Sequence, residues 1–172
     1  MSAHMAIVVD WYGPYPLGSA RLSAEKDYGA GLYLAIGRRT SSKENRIQYV
    51  GISKDLGSRL YTSAKLGLLN QGAKIWLGEV STVRRTGAPT QINMAQVHLA
   101  EWLVAYYLRP KLNAQKTTNP PKKVTTLLNR WWKTDYVTPR LRRPHKDWPD
   151  IIDFAPAYGG SLGWARRTAY IE

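Results

Sequence analysis

The sequence predicts an α+β fold in which a small antiparallel three-stranded sheet is flanked by helices, in the order β-β-α-β-α. Two short apolar runs, residues 30–37 and 47–53, are joined by a single polar loop, which is typical of an antiparallel hairpin. Leu56 and Leu60 follow at helical spacing, and residues 93–108 are apolar enough for a long buried helix. The predicted fold rests on these three observations.

The other elements follow from local signals. Asp55 is placed to cap the first helix, and residues 73–83 predict the third strand. Residues 84–91 predict a turn, and the Gly- and Pro-rich residues 10–20 predict a loop. One more helix is predicted within residues 117–133, after two prolines.

The chain of 172 residues favours one domain with an appendage. Residues 1–28 form an N-terminal segment, of which residues 1–4, ahead of a second methionine, are interpreted as a cloning remnant. Residues 29–113 form the core. Residues 114–172 are interpreted as a basic, aromatic-rich extension that packs on the core and is a candidate DNA-contacting region.

Charge is the strongest signal in the composition. The chain holds 25 Lys and Arg against 12 Asp and Glu, a net charge of +13, which favours a polyanionic partner. Seven Trp and eleven Tyr suit base stacking and phosphate-facing hydroxyls, although they also suit an ordinary core. A nucleic acid is the favoured partner, and charge that only keeps the protein soluble is the alternative.

Cysteine is absent, which excludes disulfides and thiolate zinc sites. No apolar run approaches the roughly 18 residues of a membrane span. The first residues lack the pattern of a signal peptide. A cytoplasmic protein with no membrane partner is expected.

Glu101 stands on the face of the long helix that should meet the core. On a 3.6-residue period it shares that face with Val97, Val104, Ala105 and Leu108. Burial of an unpaired carboxylate costs several kcal/mol, so a positive group is expected beside it. Two interpretations stay open on these grounds, a structural salt bridge with an arginine (Arg59 or Arg109) or a bound metal ion.

Five short motifs occur along the predicted hairpin and helices, and together they resemble the GIY-YIG nuclease family over about residues 29–113. Each motif alone is weak, but their order on these element types is more specific. The motifs are the GLY of residues 31–33, the YVG of residues 49–51, Arg59, Glu101 and Asn113.

The resemblance implies a role for each matching residue. Glu101 would bind one divalent cation, Mg²⁺ or Mn²⁺. Tyr33 and Tyr49 would lie at the scissile phosphate of DNA, one of them activating or orienting water. Arg59 would steady the phosphate, and Asn113 would brace the region of the glutamate. The chemistry is coherent, because a cation and a guanidinium stabilise charge on phosphate oxygens. Nearby cations would also lower a tyrosine pKa from its usual value near 10.

Two departures from the family stand out. The loop at residues 37–46 is longer than usual, and its basic side chains are candidate contacts to the DNA backbone. Ser63 occupies a position where many relatives have His or Tyr, so the proton-transfer set is incomplete unless Tyr61, Lys54 or Lys65 substitutes. The candidate DNA-binding residues are Arg38, Arg39, Lys43, Arg46, Lys54 and Lys65.

The expected function is therefore a metal-dependent DNA endonuclease with a restriction, phage or mobile-element role. The alternative is a non-catalytic DNA-binding module that keeps a GIY-YIG-like fold, and an RNA-directed protein is a third class. A target with two-fold symmetry would imply a dimer.

Overall fold

The computed structural model describes residues 4–81 and 92–164, which form one mixed sheet with helices on both faces. The strands are β1 (Met5–Pro16), β2 (Gly31–Gly37), β3 (Arg46–Ser53), β4 (Lys74–Ser81), β5 (Thr125–Trp132), β6 (Ile151–Ala155) and β7 (Gly159–Gly163). The helices are α1 (Leu17–Asp27), α2 (Leu56–Thr62) and α3 (Met94–Leu108), with a short 3₁₀ helix at Leu66–Leu68.

The prediction of a small three-stranded sheet is wrong. The sheet has seven strands in the order β3-β2-β4-β1-β5-β6-β7, and all neighbours are antiparallel except β1 and β5. Residues 10–16, which belong to β1, were predicted to be part of a loop. β1 tolerates Gly13 and Pro14 because its register against β4 shifts between Tyr12 and Tyr15, where a proline cannot donate to the ladder. Pairing on both sides of β1 outweighs its loop-like composition.

The helix predicted within residues 117–133 is also wrong, because this segment contains β5. Its inward positions, Thr125, Leu127, Asn129 and Trp131, are buried at every second residue, which is the period of a strand. The adjacent pairs Leu127-Leu128 and Trp131-Trp132 hide that period in the sequence. The region after residue 133, for which no strand was predicted, supplies β6 and β7.

The elements between residues 31 and 108 follow the predicted order. β2 and β3 form the antiparallel hairpin, and Asp55 caps α2 by accepting from the Ser58 amide at 3.1 Å. Asn93 caps α3 through the amides of Ala95 and Gln96. The turn predicted at residues 84–91 lies outside the described residues.

The two faces of the sheet carry separate cores. One face, called the α1/α2 face, packs Tyr33 and Leu77 against residues of α1 and α2 such as Ala24 and Leu60. The other, called the α3 face, packs Leu32, Leu34 and Val50 of the hairpin against the apolar side of α3. Neighbouring residues of β2 therefore point into different cores, as strand geometry requires.

Four tryptophans join the N-terminal strand to the C-terminal segment on the α3 face. Trp148 is fully buried, and its ring centroid lies 4.8 Å from that of Trp11, 5.8 Å from Trp131 and 6.0 Å from Trp76. The C-terminal segment is thus part of the main core. Among the described residues, no helix is long and apolar enough to cross a membrane.

Replacing Trp148 with Ala should lower the free energy of unfolding by about 3–5 kcal/mol, because the cavity left between three other indoles cannot collapse fully. Chemical denaturation measures the loss. Leu141→Ala is the control, since Leu141 is 72% exposed and its loss should change stability by less than about 0.5 kcal/mol. Equal stability of both variants would show that residue 148 is not a core anchor.

Candidate functional site

Tyr33 and Tyr49 lie side by side above Gly51 on the α1/α2 face. Tyr33 is paired with Gly51 across the hairpin, and the two phenol rings have centroids 5.6 Å apart. A Cβ atom at Gly51 would lie 2.7 Å from Tyr33 Cζ and from Tyr49 Cε1, closer than real contacts allow. The glycine of the YVG motif is therefore required by the approach of the two phenols.

The glycine of the GLY motif has a steric reason of its own. A Cβ at Gly31 would lie 2.6 Å from the carbonyl oxygen of Gly78, so its absence lets β2 approach β4 closely. The same atom would lie 3.0 Å from Leu56 Cδ1 on α2. Both glycines thus help to set where the hairpin and α2 meet.

Arg59 projects from α2 onto the two phenols. Tyr33 and then Tyr49 lie close enough to its guanidinium to raise the pKa of Arg59, while the residue stays exposed to solvent. The capped start of α2 and the buried Leu56 and Leu60 fix the helix against the sheet. One guanidinium thus lies beside both phenols.

Ser63 completes this group, which we call the tyrosine–arginine cluster (Tyr33, Tyr49, Arg59 and Ser63). The Tyr33 hydroxyl donates to Ser63 Oγ at 3.5 Å, a long contact, and Ser63 is buried. Ser63, which stands where many relatives of the family have His or Tyr, is therefore part of the cluster itself. Tyr61, the candidate substitute, instead lies with its ring 5.1 Å from the guanidinium carbon of Arg21.

The electrostatics of the cluster favour a neutral phenol at Tyr49. Burial, and then the neighbouring Tyr33, raise the pKa of Tyr49 to about 12, and the guanidinium of Arg59 offsets this only in part. Tyr33 raises the pKa of Arg59 in turn. Arg59 alone therefore does not lower the pKa of Tyr49, because desolvation outweighs it.

Asn113 anchors the strand that carries Tyr49 and Gly51. Its side-chain oxygen accepts from the Val50 amide at 3.0 Å, and its amide donates to the Val50 carbonyl at 2.9 Å. The Leu112 amide adds a bond of 2.8 Å to the Gln48 carbonyl. These residues cover the free edge of β3 as a short extra strand would. Asn113 thus braces the hairpin, whereas the resemblance implied a role near the glutamate.

Glu101 lies on α3, on the opposite face of the sheet from the tyrosine–arginine cluster. It is 9% exposed and pairs with Lys116, which follows α3 in a turn and has a φ of 62°. The positive partner required by its burial is therefore neither Arg59 nor Arg109. The structure brings Tyr33, Tyr49 and Arg59 together and leaves Glu101 apart from them.

A metal ion at Glu101 has to compete with this ammonium. The carboxylate is an oxygen ligand of the kind that Mg²⁺ prefers, and one carboxylate with several waters is a common Mg²⁺ arrangement. Within residues 4–81 and 92–164, no group of three or more His, Asp or Glu is placed to hold a metal. The Lys116 side chain is 28% exposed. The Glu101 carboxylate would be open to a cation only if Lys116 left it.

The basic side chains predicted to contact DNA are all exposed. The loop after β2 is held at its base, because the Arg38 carbonyl accepts from the Asn70 amide at 2.9 Å and Arg39 bridges to Leu69. Its side chains are thus presented on a fixed backbone. The other predicted DNA-binding residues are Lys43, Arg46, Lys54 and Lys65. Arg46 differs from the others, since its guanidinium lies 2.7 Å from the Glu44 carboxylate.

A second polar group, on the α1/α2 face, was not predicted from the sequence. Asp10 is buried and accepts from Arg130 through two bonds of 2.7 Å and from the Trp132 indole at 2.7 Å. Burial, then Asp10 and the neighbouring Glu79, raise the pKa of Tyr12 to about 12. The available signal in the sequence was the charge of Asp10, which directly follows the apolar residues 6–9. The bidentate ion pair ties β1 to β5.

Three comparisons with known proteins were negative. No family model, no curated protein and no solved structure matches the chain.

The raised pKa of Tyr49 has a consequence for stability at alkaline pH. The fold favours the neutral phenol, so this stabilisation is complete below pH 10, the usual pKa, and is lost as pH rises through about 12. Tyr49→Phe, which cannot ionise, should lose less free energy of unfolding than the wild type between pH 9 and pH 12. Urea titrations at both pH values measure the losses, and equal losses would contradict the assignment.

Proposed function

We propose that the tyrosine–arginine cluster binds a phosphodiester of DNA and that the protein hydrolyses it as a metal-dependent endonuclease of the GIY-YIG type. One observation supports this most strongly. Side chains from β2, β3 and α2 converge above Gly51, where the exposed Arg59 and the half-buried Tyr49 lie beside the buried Tyr33. Such a set suits a tetrahedral anion with several acceptor oxygens.

The chemistry assigned to each residue follows from its protonation state. Arg59 donates to non-bridging phosphate oxygens and stabilises the negative charge that grows in the transition state. Tyr49 is a neutral phenol at physiological pH, so it donates or holds a water in place, and it does not act as the base. The proton of the attacking water then passes to a non-bridging oxygen of the scissile phosphate.

A divalent cation, when bound, would supply Lewis-acid stabilisation and an activated water. Glu101 is the residue assigned to hold it, and Lys116 is its competitor. Because α3 lies on the other face of the sheet, a cation at Glu101 could act on a phosphodiester held by the cluster only if both reached the β3 edge. Asn113 bonds to Val50 on that same edge, three residues before Lys116.

Two observations favour the alternative, a DNA-binding module without catalysis. The ammonium of Lys116 already neutralises the carboxylate that would hold the cation. The raised pKa of Tyr49 removes the simplest tyrosine base. Such a module would bind DNA with the same basic surface and would leave a plasmid intact with Mg²⁺ or Mn²⁺.

Incubation with supercoiled plasmid in Mg²⁺ tests the proposal. The wild type should produce nicked or linear DNA, and Arg59→Ala should slow this by about 10²-fold or more. Tyr33→Phe should lower the rate in the same direction, because only a hydroxyl is lost. Lys26→Ala is the matched control, since it removes an exposed charge from neighbouring α1. A plasmid left intact by the wild type while DNA is bound would establish the alternative.

Lys116→Ala should free Glu101 for a cation. The variant should be less stable than the wild type without metal, because a nearly buried carboxylate loses its partner. Added Mn²⁺ or Mg²⁺ should then raise its melting temperature more than that of the wild type. Glu101→Gln combined with Lys116→Ala should abolish this gain. An equal metal response in all three proteins would remove Glu101 as the metal ligand.

Replacing Arg38 and Arg39 with Ala should weaken duplex binding similarly on all sequences. Each phosphate contact contributes about −0.9 to the slope of log K against log salt, so the slope should become shallower by roughly one to two units. Arg46→Ala is the control, because its charge is already paired with Glu44 and its loss should change the slope less. An unchanged slope in the double variant would place the loop outside the DNA interface.

A further inference from the structure

A pocket of about 400 Å³ lies between the end of α3 and the β6–β7 hairpin, on the face opposite the tyrosine–arginine cluster. This volume falls in the range of about 300–1,000 Å³ that small ligands occupy in proteins. β6 is four strands from β2, which corresponds to roughly 19 Å across a sheet. The pocket is therefore a separate site. Its walls include Tyr106, Tyr107, Pro120, Pro121, Lys122 and Phe154.

The interior of the pocket suits a flat aromatic ligand. The rings of Tyr106 and Tyr107 are nearly perpendicular, at 87°, with centroids 5.0 Å apart. Phe154 is 3% exposed and belongs to the main core, so the wall that it forms is rigid. An aromatic wall offers a stacking surface that any nucleobase can use, because every base has a π-face.

The rim carries an exposed aromatic side chain and positive charge. Tyr158 is 93% exposed and stands in the turn between Pro156 and Gly159, which both line the pocket. Lys122 lines the opening, and its neighbour Lys123 is also exposed. The ring of Tyr158 is therefore free to stack on a ligand that enters at the rim.

Asp153 lies on the opposite face of β6 from Phe154, because neighbouring residues of a strand point to opposite faces. Its Oδ1 accepts from the Thr126 hydroxyl at 2.5 Å. The charge at the rim is therefore that of Lys122 and Lys123, which suits the phosphates on either side of a bound base.

We propose that this pocket binds an unpaired nucleobase of a single-stranded nucleic acid, with the adjoining backbone held by Lys122 and Lys123. A net charge of +13 favours a polyanion over a neutral proline-rich peptide, the other ligand that aromatic grooves take. The inference shares the class of ligand with the proposed function. It requires binding alone and no cleavage.

Fluorescence anisotropy with a labelled single-stranded oligonucleotide and its duplex, without divalent metal, tests the pocket. Tyr158→Ala should weaken single-strand binding by about tenfold, the loss of one stacked base, and should leave duplex binding within about twofold. Lys122→Ala should make the single-strand salt slope shallower by about 0.7. Lys26→Ala and Leu141→Ala, both at exposed positions elsewhere, should change neither value.

The outcomes separate this inference from the nuclease proposal. Single-strand binding that depends on Tyr158 in a protein that nicks no plasmid would support the pocket and reject the nuclease. Wild-type affinity in both variants, or no single-strand binding by the wild type, would overturn the pocket. So would a proline-rich peptide that binds the wild type and fails to bind Tyr158→Ala. Because both side chains are exposed, unchanged melting temperatures should accompany each variant.

Discussion

The approach of two phenol rings over Gly51 is the constraint on which the rest of the candidate site depends. Only a residue without a side chain lets Tyr33 and Tyr49 lie above the strand at this distance. Once they are there, the guanidinium of Arg59 lies beside both phenols. The same crowding desolvates Tyr49 and keeps its phenol neutral, so the geometry decides the chemistry as well as the packing.

The surrounding structure holds this contact from three sides. Asn113 and Leu112 fix the outer edge of β3, which would otherwise be an open strand. The cap at Asp55 and the buried side of α2 fix Arg59. Farther away, the tryptophans around Trp148 and the Asp10–Arg130 pair hold β1 and β5 in the sheet that supports the hairpin.

Several local features could be predicted from the sequence because they depend on neighbours in the chain. The hairpin, the cap at Asp55 and the length of α3 all have short-range signals that the structure confirms. The inward position of Glu101 and its need for a positive partner also followed from helical spacing. The identity of that partner did not, because Lys116 reaches it from a turn fifteen residues later, at a backbone conformation with positive φ.

The wider sheet could not be predicted, because long-range pairing decides it. β1 contains glycine and prolines that favour a loop, and only its bonds to β4 and β5 make it a strand. In β5, adjacent apolar residues conceal the alternation that burial reveals. The pKa of Tyr49 is a similar case, since it depends on desolvation by residues that the motif does not include.

The two proposed sites lie on opposite faces of one sheet, the cluster proposed for phosphate chemistry and the pocket proposed for a base. The central claim is that the tyrosine–arginine cluster is where the phosphodiester binds. A crystal structure of the Glu101→Gln variant with duplex DNA tests it most directly. The account predicts a backbone phosphate within hydrogen-bonding distance of Arg59 and of the Tyr33 or Tyr49 hydroxyl. DNA bound elsewhere, with the cluster open to solvent, would contradict it.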